Sequence, residues 1–177
     1  MRAAWYAILL TACASNAKKD TGVEVVTERG AAVYIAAEYD AVWEKLTQAD
    51  QFVAWYSMGG RLFPHAKDQE LEWGPPSRVM IRGTLHWIEN GRGFAHSFQF
   101  RGLGFDGEPE SEVVWDVLQQ GPVVLVRVRH TATRSPRTME MIGELGWTKS
   151  LDRLKTLLET GTVMDWPADS TPPPREP

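Results

Sequence analysis

The chain has 177 residues, of which 43% are hydrophobic and 24% are charged, a length and balance that suit one globular domain with its own core. The formal net charge is −4 and no clustered basic face is visible, so we do not expect nucleic acid as a partner. The single cysteine excludes an internal disulfide and a metal site built from several cysteines.

Residues 1–22 have the order of a secretory signal. Arg2 supplies a positive charge, Ala3–Leu10 is apolar but too short to span a bilayer, and small and polar residues follow. Leu10–Cys13 also resembles the bacterial lipobox, in which the cysteine becomes lipidated. We therefore predict a lipoprotein attached to the cell envelope through Cys13. The alternative is a cytoplasmic protein with a wrongly assigned start codon or a frayed tail.

Residues 23–161 are predicted to form the folded domain, which begins with one or two strand-like runs in Val23–Ile35. Two short helices follow. Asp40 is expected to cap a helix through Leu46, and Asp50 a second helix through Tyr56. Trp55 and Tyr56 end this second helix, and we expect them to close one end of a groove.

From residue 78 onward, alternating runs separated by turns predict an antiparallel meander. Asn90–Gly91 and Gln120–Pro122 supply two of the turns. One face of the predicted sheet is apolar and the other polar. The residues assigned to the apolar face are Val79, Ile81, Leu85, Trp87, Phe94, His96, Phe98, Phe100, Val113, Trp115, Val117, Val124, Val126, Val128 and His130.

Thr138–Glu159 carries apolar residues at three- and four-residue steps, which predicts one long amphipathic helix across the apolar face of the sheet. Gly143 and Gly146 lie in its first half. Such small residues either leave room for a cavity or allow close contact between helix and sheet. The proline-rich residues 162–177 are predicted to be a flexible tail.

This order of elements resembles the SRPBCC or START-type helix-grip superfamily, and within it the family named after the activator of the heat-shock-protein ATPase. The residues that carry the resemblance are Ala36, Val42–Trp43, Leu46–Thr47, Trp55, Gly83, Val126–Thr131, Gly146–Trp147 and Ser150–Lys155. The resemblance implies an α+β helix-grip fold, with a curved antiparallel sheet wrapped around a long C-terminal helix and two short helices after the first strand. It also implies a cavity for small hydrophobic molecules.

Two motifs that mark enzyme active sites, a nucleophile elbow and a histidine-based zinc site, are missing from the sequence. There is no G-x-S-x-G elbow and no HExxH spacing, so we predict neither a catalytic set nor a metal or other cofactor. Gly102–Gly107 fits G-x-G-x-x-G, but it joins two strands and precedes acidic residues, which argues against a dinucleotide site. His96 and His130 on the apolar face are either polar anchors for a ligand, acids or bases, or core residues with satisfied bonds. Glu144 is a further candidate acid or base.

We therefore predict a domain that binds a small apolar ligand and is not an enzyme. The candidate ligand-binding residues are Trp55, Tyr56, Trp87, His96, Phe98, Trp115, Val126, His130, Gly143 and Trp147. Two alternatives stay open. One is a cyclase or hydrolase that uses His96, His130 or Glu144, and the other is a co-chaperone-like module that binds a protein partner by its surface.

Overall fold

The computed structural model describes residues 26–56, 60–63, 65–75, 77–102, 104–105, 107–143 and 146–165. The predicted signal segment with Cys13 and most of the predicted tail lie outside these residues. In chain order the described elements are β1 (Thr27–Ile35), α1 (Tyr39–Thr47), α2 (Ala49–Phe52), β2 (Gly60–Leu62), β3 (Glu70–Trp73), β4 (Ile81–Glu89), β5 (Gly93–Phe100), β6 (Ser111–Gln120), β7 (Val123–Ala132), α3 (Pro136–Ile142) and α4 (Gly146–Thr160). The predicted α+β class and order of elements are confirmed.

The strands form one antiparallel seven-stranded sheet in the order β1-β7-β6-β5-β4-β3-β2. The first strand therefore pairs with the last, and β1 and β2 form the two edges. The prediction did not include β2 and β3. They are three and four residues long, too short for a period of two to stand out in the sequence.

Alternation of side chains produces the core. In β6 and β7, buried and accessible residues alternate along the strand, as expected for a sheet that is covered on one face. Large aromatic rings fill much of the covered side. The fully buried tryptophan and phenylalanine residues among the described ones include Trp55, Trp73, Trp115, Phe52, Phe94 and Phe98.

Trp87 departs from the predicted pattern. The pairing of β4 with β5 shifts register between Leu85 and Trp87, so that Ile88 opposes the buried Phe94. Such a bulge moves the following side chains to the other face. Ile88 consequently packs against the core, whereas Trp87 is only half-buried and lies beneath the guanidinium of Arg92, 4.7 Å from its ring centroid. The assignment of Trp87 to the apolar face was wrong.

The two short helices were predicted in the right places but with the wrong caps. Glu38 is the N-cap of α1 and Gln48 that of α2, and neither makes a side-chain capping bond. Asp40 and Asp50 instead lie in the first turns of their helices, where a carboxylate interacts favourably with the helix dipole. The second helix ends at Phe52, and a turn carries the chain to Trp55.

The predicted C-terminal helix is interrupted. Its first part, α3, ends at Gly143, whose φ of +61° is incompatible with a continuing right-handed helix. The second part, α4, begins at Gly146 and covers the sheet with Trp147, Leu151 and Leu154. Among the described residues, no helix is long and apolar enough to cross a membrane.

Gly83 in β4 illustrates how closely adjacent strands pack. A Cβ atom at this position would lie 1.9 Å from the carbonyl oxygen of Ser97 in β5. We expect Gly83→Ala to lower the free energy of unfolding by about 2–3 kcal/mol, because the strands must separate to admit the methyl group. Urea denaturation measures the change.

The matched control is Gly102→Ala. This glycine lies in the loop after β5, with φ of +69° and no atom within 4 Å of the methyl group that alanine would add, so only backbone strain of about 1 kcal/mol applies. An equal loss in the two variants would contradict the packing explanation for Gly83.

Candidate functional site

A small pocket opens between α3, α4 and the end of β5, and we call it the α3–α4 pocket. Its volume is about 130 Å³. An apolar cavity of roughly 150 Å³ is large enough for benzene, so the pocket suits a single ring or a short alkyl group. Its lining residues are Tyr56, Phe98, Phe100, Met141, Ile142, Gly146, Trp147 and Ser150.

One wall of this pocket, α3, is attached to the loop between β5 and β6. The carboxylate of Glu108 accepts hydrogen bonds from the backbone N–H groups of Arg137 and Thr138 at 2.8 and 3.0 Å and from the Thr138 hydroxyl at 2.6 Å. Desolvation raises the pKa of Glu108, but these hydrogen bonds and the charge of Arg137 favour the carboxylate, and together they lower the pKa. Glu108 therefore connects the loop between β5 and β6 to the start of α3.

His96 is a satisfied core residue. Its Nδ1 lies 2.8 Å from the carbonyl oxygen of Ser97, and its Nε2 lies 3.2 Å from the indole nitrogen of Trp115. The indole N–H can only donate, so Nε2 accepts and Nδ1 carries the proton. Both ring nitrogens of this neutral imidazole are thereby occupied. Burial disfavours the charged form and lowers the pKa of His96 to about 4.

His130 has one nitrogen without a partner. The Ser111 hydroxyl donates to the carbonyl oxygen of Phe98 at 3.0 Å, and the same hydroxyl oxygen lies 2.6 Å from Nε2 of His130. Because the single hydroxyl proton is already donated, Nε2 must carry the proton in the second bond. Nδ1 of His130 is then an acceptor, and it is buried without a hydrogen-bond partner among the described residues. Burial lowers the pKa of His130 to about 3.

The predicted ligand-binding residues fall into three groups. Tyr56, Phe98 and Trp147 line the α3–α4 pocket. The residues buried in the core outside that lining are Trp55, His96, Trp115, Val126 and His130. Trp87 lies on the other face of the sheet, and Gly143 forms the end of α3 instead of a pocket wall.

The sequence missed several lining residues, namely Phe100, Met141, Ile142, Gly146 and Ser150 as members of one pocket. Two of these residues carried a sequence signal. Gly146 was identified as a small residue on the C-terminal helix, and Phe100 as a residue on the apolar face of the sheet. Ile142 and Ser150 also carried a signal, since both lie at the three- and four-residue steps of the predicted C-terminal helix. Met141 did not, because it lies off those steps. Glu144 and Cys13 lie outside the described residues, and lipid attachment at Cys13 stays a prediction.

Within the part of the chain that the structure describes, no three histidine, cysteine or carboxylate side chains are arranged to hold a metal ion. The two buried histidines are each bonded to core groups. The enzyme alternative requires an acid and a base in the α3–α4 pocket. No two described residues form such a pair there.

Comparison of the sequence with family models gives one match. The model described as "Activator of Hsp90 ATPase homolog 1-like protein" matches residues 36–159, which include α1 to α3, nearly all of α4 and every described strand but β1. Comparison with curated proteins finds no match.

Several solved structures have the same fold. CalU16 from Micromonospora echinospora is 19% identical over 75% of this chain and 81% of its own, with a TM-score of 0.57. A protein from Bordetella parapertussis is 24% identical over 78% of each chain, with a TM-score of 0.59. The Aha1 dimer from Colwellia psychrerythraea is 15% identical over 76% of this chain and 98% of its own, with a TM-score of 0.58. At these identities the similarity establishes the fold alone.

The buried neutral histidines predict loss of stability in mild acid. Both His96 and His130 have pKa values in the folded protein, about 4 and about 3, that lie below the ordinary 6.5. The unfolded chain therefore binds more protons below pH 6.5, and stability is complete above that pH and falls as the pH drops. We expect a slope near pH 5 of about 1.4 kcal/mol per pH unit for each histidine.

Urea denaturation between pH 7 and pH 5, at constant ionic strength, measures this slope. His65→Gln changes an exposed loop residue and should leave it intact. A free energy of unfolding that stays constant over this interval would contradict neutral burial of the two imidazoles.

Two tryptophans allow a test of the hydrogen-bond assignment. The indole N–H of Trp55 donates to the carbonyl oxygen of Lys45 at 2.8 Å, whereas that of Trp147 is buried with no hydrogen-bond partner among the described residues. We expect Trp147→Phe to cost about 1–3 kcal/mol less than Trp55→Phe, since only the latter breaks a bond and leaves an acceptor unpaired. Urea denaturation compares the variants, and an equal or larger cost for Trp147→Phe would refute the assignment.

Proposed function

We propose that this chain, which belongs to the Activator of Hsp90 ATPase homolog 1-like family, binds a small apolar ligand in the α3–α4 pocket. The observation that carries the proposal is the lining of that pocket. Six of its eight lining residues are aromatic or aliphatic, namely Tyr56, Phe98, Phe100, Met141, Ile142 and Trp147. A concave, largely apolar site with few polar groups is typical of small-molecule binding.

The size of the pocket limits the ligand. Sites for drug-sized molecules occupy roughly 300–1,000 Å³, whereas this one has about 130 Å³. The buried part of the ligand is therefore one six-membered ring or an alkyl group of similar volume. Larger molecules extend past Met141, which is 55% exposed at the edge of the pocket.

The remaining alternatives have less support among the described residues. The enzyme alternative depended on at least two of His96, His130 and Glu144 meeting in one pocket. His96 uses both nitrogens in core bonds, and Glu144 lies outside the described residues. The co-chaperone alternative depended on an exposed apolar patch. The large exposed hydrophobic residues that the structure describes lie before β1, in β1, after α2 and in α3.

Filling the pocket tests the proposal. Ser150 lines it, and its hydroxyl donates to the carbonyl oxygen of Gly146 one turn earlier on α4. We expect Ser150→Phe to weaken the binding of toluene at least tenfold, a loss of about 1.4 kcal/mol or more, because the new ring occupies the volume of the ligand. Changes in indole N–H resonances or tryptophan fluorescence on titration report the dissociation constant.

Thr156→Phe is the matched control. The Thr156 hydroxyl donates to the carbonyl oxygen of Asp152 on the same helix, and the residue lies outside the pocket lining. Toluene should bind this variant as it binds the unmodified protein. Absence of toluene binding to the unmodified protein, or equal binding to both variants, would overturn the proposal.

A further inference from the structure

Polar groups are few in the α3–α4 pocket. Among its eight lining residues, only Tyr56, Trp147 and Ser150 carry a side-chain oxygen or nitrogen. The indole nitrogen of Trp147 has essentially no accessible surface, so a ligand in the pocket does not reach it. The Ser150 hydroxyl donates its proton to the carbonyl oxygen of Gly146 at 2.9 Å, within α4. The Tyr56 hydroxyl is therefore the pocket group whose proton is not already donated within the protein.

The Tyr56 hydroxyl is unpaired but accessible. It has no hydrogen-bond partner among the described residues. It is nevertheless not one of the described side-chain polar atoms that are both buried and unpartnered, which belong to Arg29, Trp73, His130 and Trp147. The oxygen thus keeps accessible surface, although the residue as a whole is only 7% exposed. Because Tyr56 lines the pocket, a ligand there can reach this oxygen.

Three aromatic rings hold the phenol ring of Tyr56 in place. Its centroid lies 4.8 Å from that of Phe52, 5.6 Å from that of Trp55 and 5.1 Å from that of Trp73. The backbone N–H of Tyr56 also donates to the carbonyl oxygen of Phe52 at 3.0 Å. A side chain packed in this way has little conformational freedom to lose on binding, so its hydroxyl is oriented before a ligand arrives.

Burial keeps this hydroxyl protonated. Desolvation disfavours the phenolate and raises the pKa of Tyr56 above its ordinary value of 10. At neutral pH the group is therefore an uncharged hydroxyl that can donate one hydrogen bond. A ligand that displaces water from such a donor and brings no acceptor loses affinity. The pocket consequently favours a ligand with an acceptor.

The lining also favours a ligand without charge. None of the eight lining residues is charged. Removing an ionised carboxylate from water is costly unless an opposite charge pairs with it, and an ammonium group has no lone pair to accept from Tyr56. A carbonyl oxygen is a neutral acceptor and meets both requirements.

We propose that the ligand of the α3–α4 pocket carries a carbonyl or similar neutral oxygen on its apolar ring or alkyl group, and that the Tyr56 hydroxyl donates to this oxygen. This inference rests on the proposed function, since it assigns a polar group to the ligand of the same pocket. The apolar part of the ligand lies against the other aromatic and aliphatic lining residues.

Cyclohexanone and methylenecyclohexane are the probes, because both have one six-membered ring and they differ only by an oxygen in place of a CH₂ group. Their dissociation constants are measured from indole N–H resonances with the unmodified protein and with Tyr56→Phe. We expect the preference for cyclohexanone over methylenecyclohexane to fall about fivefold in Tyr56→Phe, as for the loss of one hydrogen bond. The variant should keep its fold, because the lost hydroxyl bonds no described residue.

The matched control is Tyr39→Phe. It removes a hydroxyl that accepts from the backbone N–H of Gly91 at 2.8 Å and lies outside the pocket lining. The preference for cyclohexanone should be the same in this variant as in the unmodified protein.

A second measurement does not depend on the folding of a variant. The carbonyl stretching frequency of cyclohexanone bound to the unmodified protein should lie below its frequency in an alkane, because a hydrogen bond to the oxygen weakens the C=O bond. An unchanged preference in Tyr56→Phe, or a bound carbonyl band at the alkane frequency, would overturn the role of Tyr56, whereas binding of methylenecyclohexane would leave the apolar pocket standing. Binding of neither probe would overturn the proposed function itself.

Discussion

The helix α4 packs on the sheet through Leu151, Leu154 and Trp147, of which Trp147 belongs to the aromatic layer of the core. Its indole contacts a ring on each of three adjacent strands, at 6.4 Å from Phe98 on β5, 5.4 Å from Trp115 on β6 and 5.7 Å from His130 on β7. Aromatic pairs at these distances add to the free energy of burial. The alternation of β5, β6 and β7 presents these three rings on one face, and Trp147 joins them to the helix. The pocket forms beside this contact because Gly146 and Ser150, the neighbours of Trp147 on α4, are small.

The two histidines within this aromatic layer differ in their hydrogen bonds. Both ring nitrogens of His96 are bonded, to Ser97 and Trp115, whereas His130 is bonded through one nitrogen only, to Ser111. The two residues occupy equivalent inward positions on β5 and β7, yet the neighbours of each decide whether it has a free nitrogen. The hydrogen bonds of a histidine on an apolar strand face therefore depend on its neighbours and not on its place in the alternation.

The architecture was predictable because its signals are local. A period of two in β4 to β7, glycine-containing turns and an amphipathic C-terminal stretch sufficed for the class and the order of elements. The candidate site was predictable only in part. Tyr56, Phe98 and Trp147 follow from pattern and resemblance, but the bulge that turns Trp87 outward depends on pairing between strands. The free nitrogen of His130 likewise depends on Ser111, nineteen residues away in sequence. Interactions between distant residues leave no periodic signal in a single sequence.

The loop between β5 and β6 has a structural role that its glycine pattern conceals. Gly102, Gly104 and Gly107 all have positive φ, which suits glycine because other residues are strained there. The loop places Phe105 against Phe100, at 4.9 Å between ring centroids, and Glu108 against the backbone of α3.

Glu108 is one of the acidic residues that argue against a phosphate site, and it accepts hydrogen bonds from the N–H groups at the start of α3. Because Met141 and Ile142 of α3 form a wall of the pocket, the distance between this wall and Phe100 is set by the loop as much as by α4. Because the helix is broken at Gly143, the contacts of the loop can position α3 while the contacts of Trp147 position α4. A continuous helix would have tied the pocket wall to α4, and the space between them would have closed with the packing of Trp147.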